Sequence, residues 1–348
     1  MKLRVPFSLI IVITFFITIK PAAAQENSLK DVQITKENVD DVIDRLEADG
    51  FAGVIYLKLN QIDITERAFG KANTELDIDN SLQTIFDIGS RPIDFTKAAI
   101  LLLDQRGEIS LSDPITNWFD DVPADKQEIR IHHLMSGRSG LPDFFHTPDD
   151  WDPDLAWVDR ETAIERILEQ PLRFDPGEDQ HHSHAAFVLL AALIESISEM
   201  TYVDFLTENF FDPAGMTRTG EYGDSGKFTV HDFAEGEGPQ KIGLPNIPPN
   251  WGPTSWLIRG SGGMYSTLDD LKKFYRFIRS VDVLDTAHNQ TLKNPTVNID
   301  GTDRGFELFN AFQPEGSETY LFLNKLPDRD IARQVFCELE ELVFALDF

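Results

Sequence analysis

The sequence has little cysteine and little positive charge. One residue in 348 is cysteine, Cys337, so an intramolecular disulfide is excluded. Lysine and arginine number 31 against 59 aspartates and glutamates, which gives a formal net charge of −28. A surface with this charge repels nucleic acid and anionic membranes, and we therefore expect neither as a partner. The 41% apolar content is sufficient for a large hydrophobic core.

The N-terminus carries the features of an export signal. Lys2 and Arg4 precede an apolar run over residues 5–19, and a site of small residues ends at Ala24. This order predicts a secretory signal peptide, residues 1–24, and a secreted or periplasmic protein. The apolar run is shorter than the roughly 20 residues of a membrane-spanning helix, so we expect no span in the mature form. An uncleaved anchor is the alternative.

The remaining chain, residues 25–348, has predicted strands near both ends and predicted helices between them. The strands are expected at residues 51–59, 63–69, 306–313 and 319–323. The helices are expected at residues 37–49, 95–106, 162–170, 185–199, 201–211, 269–280 and 328–346. Short turns between the strands favour antiparallel pairing. The predicted fold is therefore α/β (α+β), with one antiparallel sheet sandwiched by helices and an inserted, mainly helical subdomain at about residues 110–255.

The most informative segment is residues 86–93, FDIGSRPI. A strand-like run enters Gly89 and Ser90, and an apolar helix follows at once. A serine at a helix N-terminus faces unpaired N–H groups and a dipole that both favour developing negative charge. Ser90 is therefore a candidate nucleophile. The alternative is that Ser90 is a plain helix N-cap, a position at which serine is common.

This segment resembles the S-x-x-K nucleophile motif of β-lactamases and penicillin-binding proteins. Five further segments are similar, in the same order, to landmarks of class C β-lactamases and D-alanyl-D-alanine carboxypeptidases or esterases. They are residues 98–114, 129–142, 174–177, 211–219 and 262–271. The chain is identified as a member of this superfamily, with degenerate catalytic motifs. The resemblance implies a β-lactamase/transpeptidase-like fold and a serine hydrolase ancestry.

The resemblance also implies three catalytic elements, and two of them have lost their cationic group. The lysine three residues after the serine is replaced by Ile93, which cannot transfer a proton. Lys97 is not a substitute, because seven residues along a helix is about 10 Å. The third element, a Lys- or His-x-Gly triplet on a strand, has no equivalent cation near residues 298–301.

The second element, Tyr-x-Asn in the superfamily, corresponds here to His182, Ser183 and His184. Histidine is a common general base near neutral pH, so we expect a Ser90–His182 dyad with His184 orienting the substrate. The alternative is drift to a solvated polar loop. With His181 the imidazoles also suggest a metal, but no H-E-x-x-H motif or cysteine pair accompanies them, and we predict no metal and no cofactor.

Two functions remain open at this point. The first is an exported serine hydrolase that cleaves an ester or amide through Ser90, with a neutral ester preferred over a penicillin. The second is a catalytically inactive homologue whose cleft binds a ligand or a protein partner. The expected partner is a small-molecule ester or amide or a cell-wall-like ligand. An imidazole of His182 within hydrogen-bond distance of Ser90 would favour the first function.

Overall fold

The computed structural model describes residue 29 and residues 33–147, 156–280 and 283–345. The predicted signal peptide lies outside these residues. The strands are β1 (Ala52–Leu59), β2 (Ile62–Phe69), β3 (Lys71–Asn73), β4 (Ile78–Asp79), β5 (Phe86–Asp87), β6 (Gly220–Glu221), β7 (Met264–Ser266), β8 (Thr296–Thr302), β9 (Phe306–Gln313) and β10 (Ser317–Lys325). The helices are α1 (Val39–Ala48), α2 (Pro92–Gln105), α3 (Ile131–Met135), α4 (Arg160–Glu169), α5 (His184–Ser198), α6 (Tyr202–Leu206), α7 (Asp212–Ala214), α8 (Leu268–Ile278), α9 (Thr286–Asn289) and α10 (Arg329–Phe344).

The main sheet joins strands from both ends of the chain in the order β2-β1-β10-β9-β8, and all neighbours are antiparallel. Asn60 and Gln61 form the turn between β1 and β2 with φ of 49° and 68°. Two positive φ values are typical of the tight turns that match the twist of a hairpin. Both hairpins predicted from the sequence, β1–β2 and β9–β10, are confirmed.

The central strands are buried on both faces of this sheet. Along β1, Val54 and Tyr56 enter one hydrophobic core, and Ile55 and Leu57 enter the other. The alternation follows from the two-residue period of a strand. Helices α1 and α10 supply the second core, and α2, α5 and α8 supply the first. The predicted α/β sandwich of an antiparallel sheet and helices is therefore confirmed.

Helix α5 is the centre of the helical part. Its residues from Ala185 to Ile194 are all buried, and it contacts α2, α3, α4 and α6. Within the described residues no single helix is long and apolar enough to span a bilayer. Helix α5 and the segment Tyr202–Ala214 are long and apolar enough only when they are taken together, and they are bent by 77° relative to each other. Helices α3 to α7 lie within the range predicted for the helical subdomain, whose separate status stays a prediction.

A buried ion pair ties the segment before Ser90 to the turn after β8. The Arg304 guanidinium lies 3.0 Å from the Asp87 carboxylate, and their side chains are 2% and 0% exposed. The hydroxyl of Tyr222 donates to the same carboxylate at 2.5 Å, and the ring of Trp251 stacks 4.4 Å from the guanidinium. These contacts place the C-terminal end of β8 beside the start of α2.

Strand β8 is not among the strands predicted from the sequence. It pairs with β9, with Asn298 opposite Asn310, and forms one edge of the main sheet. Its apolar residues Val297 and Ile299 are 37% and 55% exposed, because an edge strand is covered on fewer sides. The short, weakly apolar pattern gave little signal for this strand, which carries Asp300.

Candidate active site

Ser90 lies in a tight turn between β5 and α2. Gly89 adopts a φ of +53°, and the N–H of Arg91 donates to the carbonyl of Ile88 at 3.1 Å. A Cβ at Gly89 would lie 2.8 Å from a carboxylate oxygen of Asp300, so the close approach requires glycine. Helix α2 begins at Pro92 with Arg91 at the N-cap position, and the Arg91 side chain makes no capping hydrogen bond. The N–H of Ile93 donates to the carbonyl of Ser90 at 3.1 Å, so the plain N-cap interpretation of Ser90 stays an alternative.

The Asp300 carboxylate of β8 covers the Ser90 turn. The backbone N–H of Ser90 donates to Asp300 Oδ2 at 2.5 Å, and Ser90 Oγ donates to Asp300 Oδ1 at 3.4 Å. The guanidinium of Arg91 lies 3.6 Å from Oδ2 and also donates to Asn310 Oδ1 at 2.7 Å. A backbone N–H at this position is the kind of donor that stabilises an oxyanion. Here a carboxylate already occupies it.

No described amine lies within hydrogen-bond distance of Ser90 Oγ. Ile93, at the position of the superfamily's lysine, is buried in the main core with 9% exposure. The ammonium of Lys97 lies over the ring of Phe187 at 5.6 Å. Of the side chains that the structure describes, Asp300 is the hydrogen-bond partner of Oγ.

His184 begins α5 and is held by Asp143. Its Nδ1 lies 2.7 Å from Asp143 Oδ1, and its backbone N–H donates to the same oxygen at 3.2 Å. The ring stacks on Phe144 with centroids 4.4 Å apart and an interplanar angle of 15°. Burial raises the pKa of Asp143, but the hydrogen bonds and charge of His184 outweigh this and hold that pKa below its usual value. The carboxylate thereby fixes the orientation of the imidazole.

His182 lies beside His184 and not beside Ser90. Its exposed ring meets the His184 ring edge-on at 4.6 Å and lies 6.4 Å from the Phe187 ring. Burial of part of the imidazole and the positive charge of His184 both lower the pKa of His182. Within the described part of the chain, His182 makes no hydrogen bond to Ser90. The catalytic roles predicted for the two histidines and Ser90 stay predictions.

A cleft of about 630 Å³ brings Ser90 and His184 together. Its wall includes Ser90, Phe144, His184, Tyr222, Asp300 and Arg304. Four glycines, Gly89, Gly262, Gly263 and Gly301, form part of the surface and leave backbone accessible to a ligand. His182 is not among the lining residues, so the structure assigns the cleft-facing position to His184.

Two residues of this site, Asp300 and Asp143, are not among the candidates predicted from the sequence. Asp300 is separated from Ser90 by 210 positions and lies on a strand that was not predicted. Asp143 belongs to an aromatic loop segment with no motif of its own. The signal available for Asp300 was the gap in the third catalytic element, where a carboxylate replaces a cation. For Asp143 no sequence pattern indicated the pairing with His184.

Three metal-ligating side chains also meet next to the cleft. Donor atoms of Asp143, His182 and His184 all lie within 4.8 Å of one another. The prediction of no metal rested on the absence of an H-E-x-x-H motif and of a cysteine pair, and the structure adds the Asp143 carboxylate to the two histidines. These three side chains could hold one divalent ion.

An antiparallel sheet covered by helices, with a serine turn at the start of a buried helix, defines the serine β-lactamase class of fold. The profile of the beta-lactamase family matches residues 40–317. The chain therefore belongs to the beta-lactamase family, and the resemblance found in the sequence is confirmed.

Individual relatives agree with this assignment. Penicillin-binding protein 4* of Bacillus subtilis (strain 168) is 27% identical over 247 residues, which cover 67% of this chain and 53% of that protein. D-aminopeptidase of Brucella anthropi is 26% identical over 254 residues, 72% of this chain and 47% of that protein. The matches thus span about half the length of these curated relatives. A penicillin-binding protein structure from Bacillus halodurans has a TM-score of 0.65 at 23% identity and covers 83% of this chain and 97% of that chain.

Proposed function

We propose that this chain is an exported, non-catalytic member of the beta-lactamase family that binds a small ligand in the cleft between Ser90 and His184. The observation that carries the proposal is the Asp300 carboxylate, which accepts from both the N–H and the hydroxyl of Ser90. Acyl transfer through a serine needs that N–H for the oxyanion and a base for the hydroxyl. Asp300 occupies the N–H, and its Oδ1, 3.4 Å from Ser90 Oγ, lies beyond the roughly 2.6–3.2 Å reach of a general base.

The carboxylate acts against the reaction by its charge. An oxyanion about as far from Asp300 as Ser90 Oγ, 3.4 Å, would be repelled by about 5 kcal/mol at an effective dielectric constant near 20. The Arg91 guanidinium, 3.6 Å from the carboxylate, offsets part of this repulsion. A penalty of about 5 kcal/mol corresponds to between about three and four powers of ten in rate. Ile93 offers no amine to compensate.

The chemistry of the cleft wall favours a neutral ligand over an anionic one. Asp300 and Asp303 both line the cleft, and Arg304 is engaged with Asp87. A ligand carboxylate would therefore face two acids in a protein whose net charge is already strongly negative. The aromatic ring of Phe144, 39% exposed at the cleft, offers an apolar contact. We propose that the ligand is a neutral ester or amide. Because one relative is named a D-aminopeptidase, we choose probes of D configuration.

One observation favours a second function, serine hydrolysis with His184 as the base. The Asp143–His184 pair has the 2.7 Å spacing of the orienting pair in a catalytic triad, and His184 shares the cleft with Ser90. In this case the hydrogen bond between the Ser90 N–H and the Asp300 carboxylate must break before that N–H can stabilise an oxyanion. Ligand-free sites often show catalytic hydrogen bonds that tighten only when substrate binds.

Intact-protein mass after treatment with a fluorophosphonate separates the two functions. For a binding protein we expect no Ser90-dependent adduct on the folded chain. A stoichiometric adduct that disappears in Ser90→Ala and in His184→Gln would overturn the first function and establish the second.

Calorimetric titration then tests binding itself. The probes are an N-acyl D-amino acid methyl ester, its L-enantiomer and the free D-acid. We expect the D-ester to bind more tightly than the free acid, and Phe144→Ala to weaken it several-fold. Equal affinity for ester and acid would contradict the role assigned to the cleft acids, and absence of binding by all three probes would contradict the proposed ligand class.

A further inference from the structure

We propose that Asp143, His182 and His184 form a binding site for one divalent transition-metal ion of the zinc type, at the rim of the cleft. The proposal goes beyond the function above and does not depend on it. It rests on the donor atoms of these three side chains, which lie within 4.8 Å of one another. Two imidazole nitrogens and one carboxylate oxygen are a ligand set that zinc and its neighbours in the first transition row accept.

The local backbone explains why the two histidines face the same way. Ser183 lies between them with φ of −148° and ψ of 110°, an extended conformation. In extended chain, residues i and i+2 share a face and the residue between them faces the other way. The imidazoles of His182 and His184 accordingly meet at a centroid distance of 4.6 Å, and Ser183 is buried.

Hydrogen bonds hold the carboxylate and the histidines in register. Ser183 Oγ donates to the carbonyl of Pro142 at 2.7 Å and accepts from the N–H of Ala186 at 3.1 Å. The N–H of Ala185 donates to the carbonyl of Asp143 at 3.0 Å. The segment that carries Asp143 is thus fixed to the start of α5. The backbone that carries the ligands is therefore held in place, and side-chain rotation would bring the donor atoms from within 4.8 Å of one another to the roughly 3.3 Å spacing of a tetrahedral zinc site.

The Asp143–His184 contact is the part that a metal would change. The carboxylate and Nδ1 lie 2.7 Å apart, which is the spacing of a hydrogen bond. Metal ligation needs an unprotonated nitrogen lone pair, so a bound ion replaces any proton on the ligating nitrogens, and that proton passes to solvent. The positive end of the α5 dipole disfavours a bound cation at this position. The negative charge of Asp143 offsets this repulsion.

Three protein ligands leave at least one coordination position open, as in zinc sites that bind a water or a ligand. His184 and Phe144 line the cleft, so the open position lies near it. An ion held there would recognise an oxygen or nitrogen donor of the cleft ligand. An imidazole bound to metal through its cleft-facing nitrogen could not also serve Ser90 as a base.

The test is calorimetric titration of the chelator-treated full chain with zinc chloride, with bound metal counted by elemental mass spectrometry. The experiment uses a Cys337→Ser background, because an exposed thiol can itself bind zinc and would add to the measured stoichiometry. We expect one equivalent with micromolar or tighter affinity. Asp143→Asn, His182→Gln and His184→Gln should each weaken binding at least tenfold.

His181→Gln is the matched control, since it removes an imidazole from the same loop outside the trio, and its affinity should stay within about twofold. Circular dichroism without metal checks folding, and His182→Gln, at an exposed position, keeps the test valid if the His184 variant unfolds. Absence of stoichiometric binding, or equal losses in His181→Gln, overturns the proposal. The zinc titration does not use fluorophosphonate labelling. A failure of the metal site can therefore be distinguished from a failure of the proposed function.

Discussion

The carboxylate of Asp300 accepts a 2.5 Å hydrogen bond from the backbone N–H of Ser90, across 210 positions of sequence. The contact joins the edge strand β8 to the start of α2. It places a negative charge beside the hydroxyl of Ser90, whose Oγ lies 3.4 Å from Oδ1 of the same carboxylate.

Removal of the Asp300 charge should make Ser90 more reactive. In Asp300→Asn we expect Ser90-dependent fluorophosphonate labelling to become detectable or to accelerate at least tenfold, because the repulsion at 3.4 Å disappears. Labelling is followed by intact mass against time. Asp303→Asn, a change in the same acidic segment of the cleft wall, is the control and should leave the rate unchanged. Equal rates in wild type and Asp300→Asn would contradict the inhibitory role of the charge.

Loss of Arg304 should destabilise the whole fold. Arg304→Met leaves the Asp87 carboxylate buried at 0% exposure with its cationic partner gone, at a cost of about 3–5 kcal/mol. Urea unfolding measures the change, and a second substitution, Asp87→Asn, should recover part of it. Lys36→Met, in an exposed pair with Glu37, should change the free energy of unfolding by less than about 0.5 kcal/mol. A loss below about 1 kcal/mol in Arg304→Met would argue against this account.

His288 should make stability depend on pH. Burial lowers the pKa of its imidazole, but hydrogen bonds to Asp285 at 2.8 Å and Asp104 at 2.9 Å outweigh this and raise the pKa above 6.5. The pKa of His288 is therefore higher in the folded state than in the unfolded state. The stabilisation that its protonated form contributes is complete below about pH 6.5, and it disappears as pH rises through the folded-state pKa.

The measurement for this prediction is the difference in Tm between wild type and His288→Asn from about pH 6 to about pH 9. We expect the difference to shrink as pH rises. A difference that is constant or grows with pH would show that the raised pKa is not the cause.

Gly140 should tolerate no side chain. Its φ is +77°, and a Cβ would lie 2.1 Å from the carbonyl oxygen of Phe174. Gly107 has a similar φ of +72° with nothing within 4 Å of a Cβ, so Gly107→Ala isolates the cost of the backbone conformation, about 1 kcal/mol. Chemical denaturation should give Gly140→Ala a free energy of unfolding lower than that of Gly107→Ala by about 1–3 kcal/mol. Equal losses would exclude the steric account.

Local patterns in the sequence were sufficient for much of the fold. The hairpin β1–β2 and the buried helix α5 follow from periodicity and turn residues, which act within a few positions of the chain. The family follows from the order of the segments that resemble it. Position 93, where the resemblance implies a lysine, is an isoleucine in this sequence. Strand β8 escaped prediction because an edge strand with exposed apolar residues shows weak alternation.

The sequence by itself determined the family, the main elements and the isoleucine at position 93, where the family resemblance implies a lysine. The tertiary structure decided which side chains meet: Asp300 with Ser90, and Asp143 with His184. Sheet order and strand register set these pairings, and a slip of one residue along β8 would turn Asp300 to the other face. Contacts between segments far apart in the chain depend on the whole packed fold, so no local pattern specifies them.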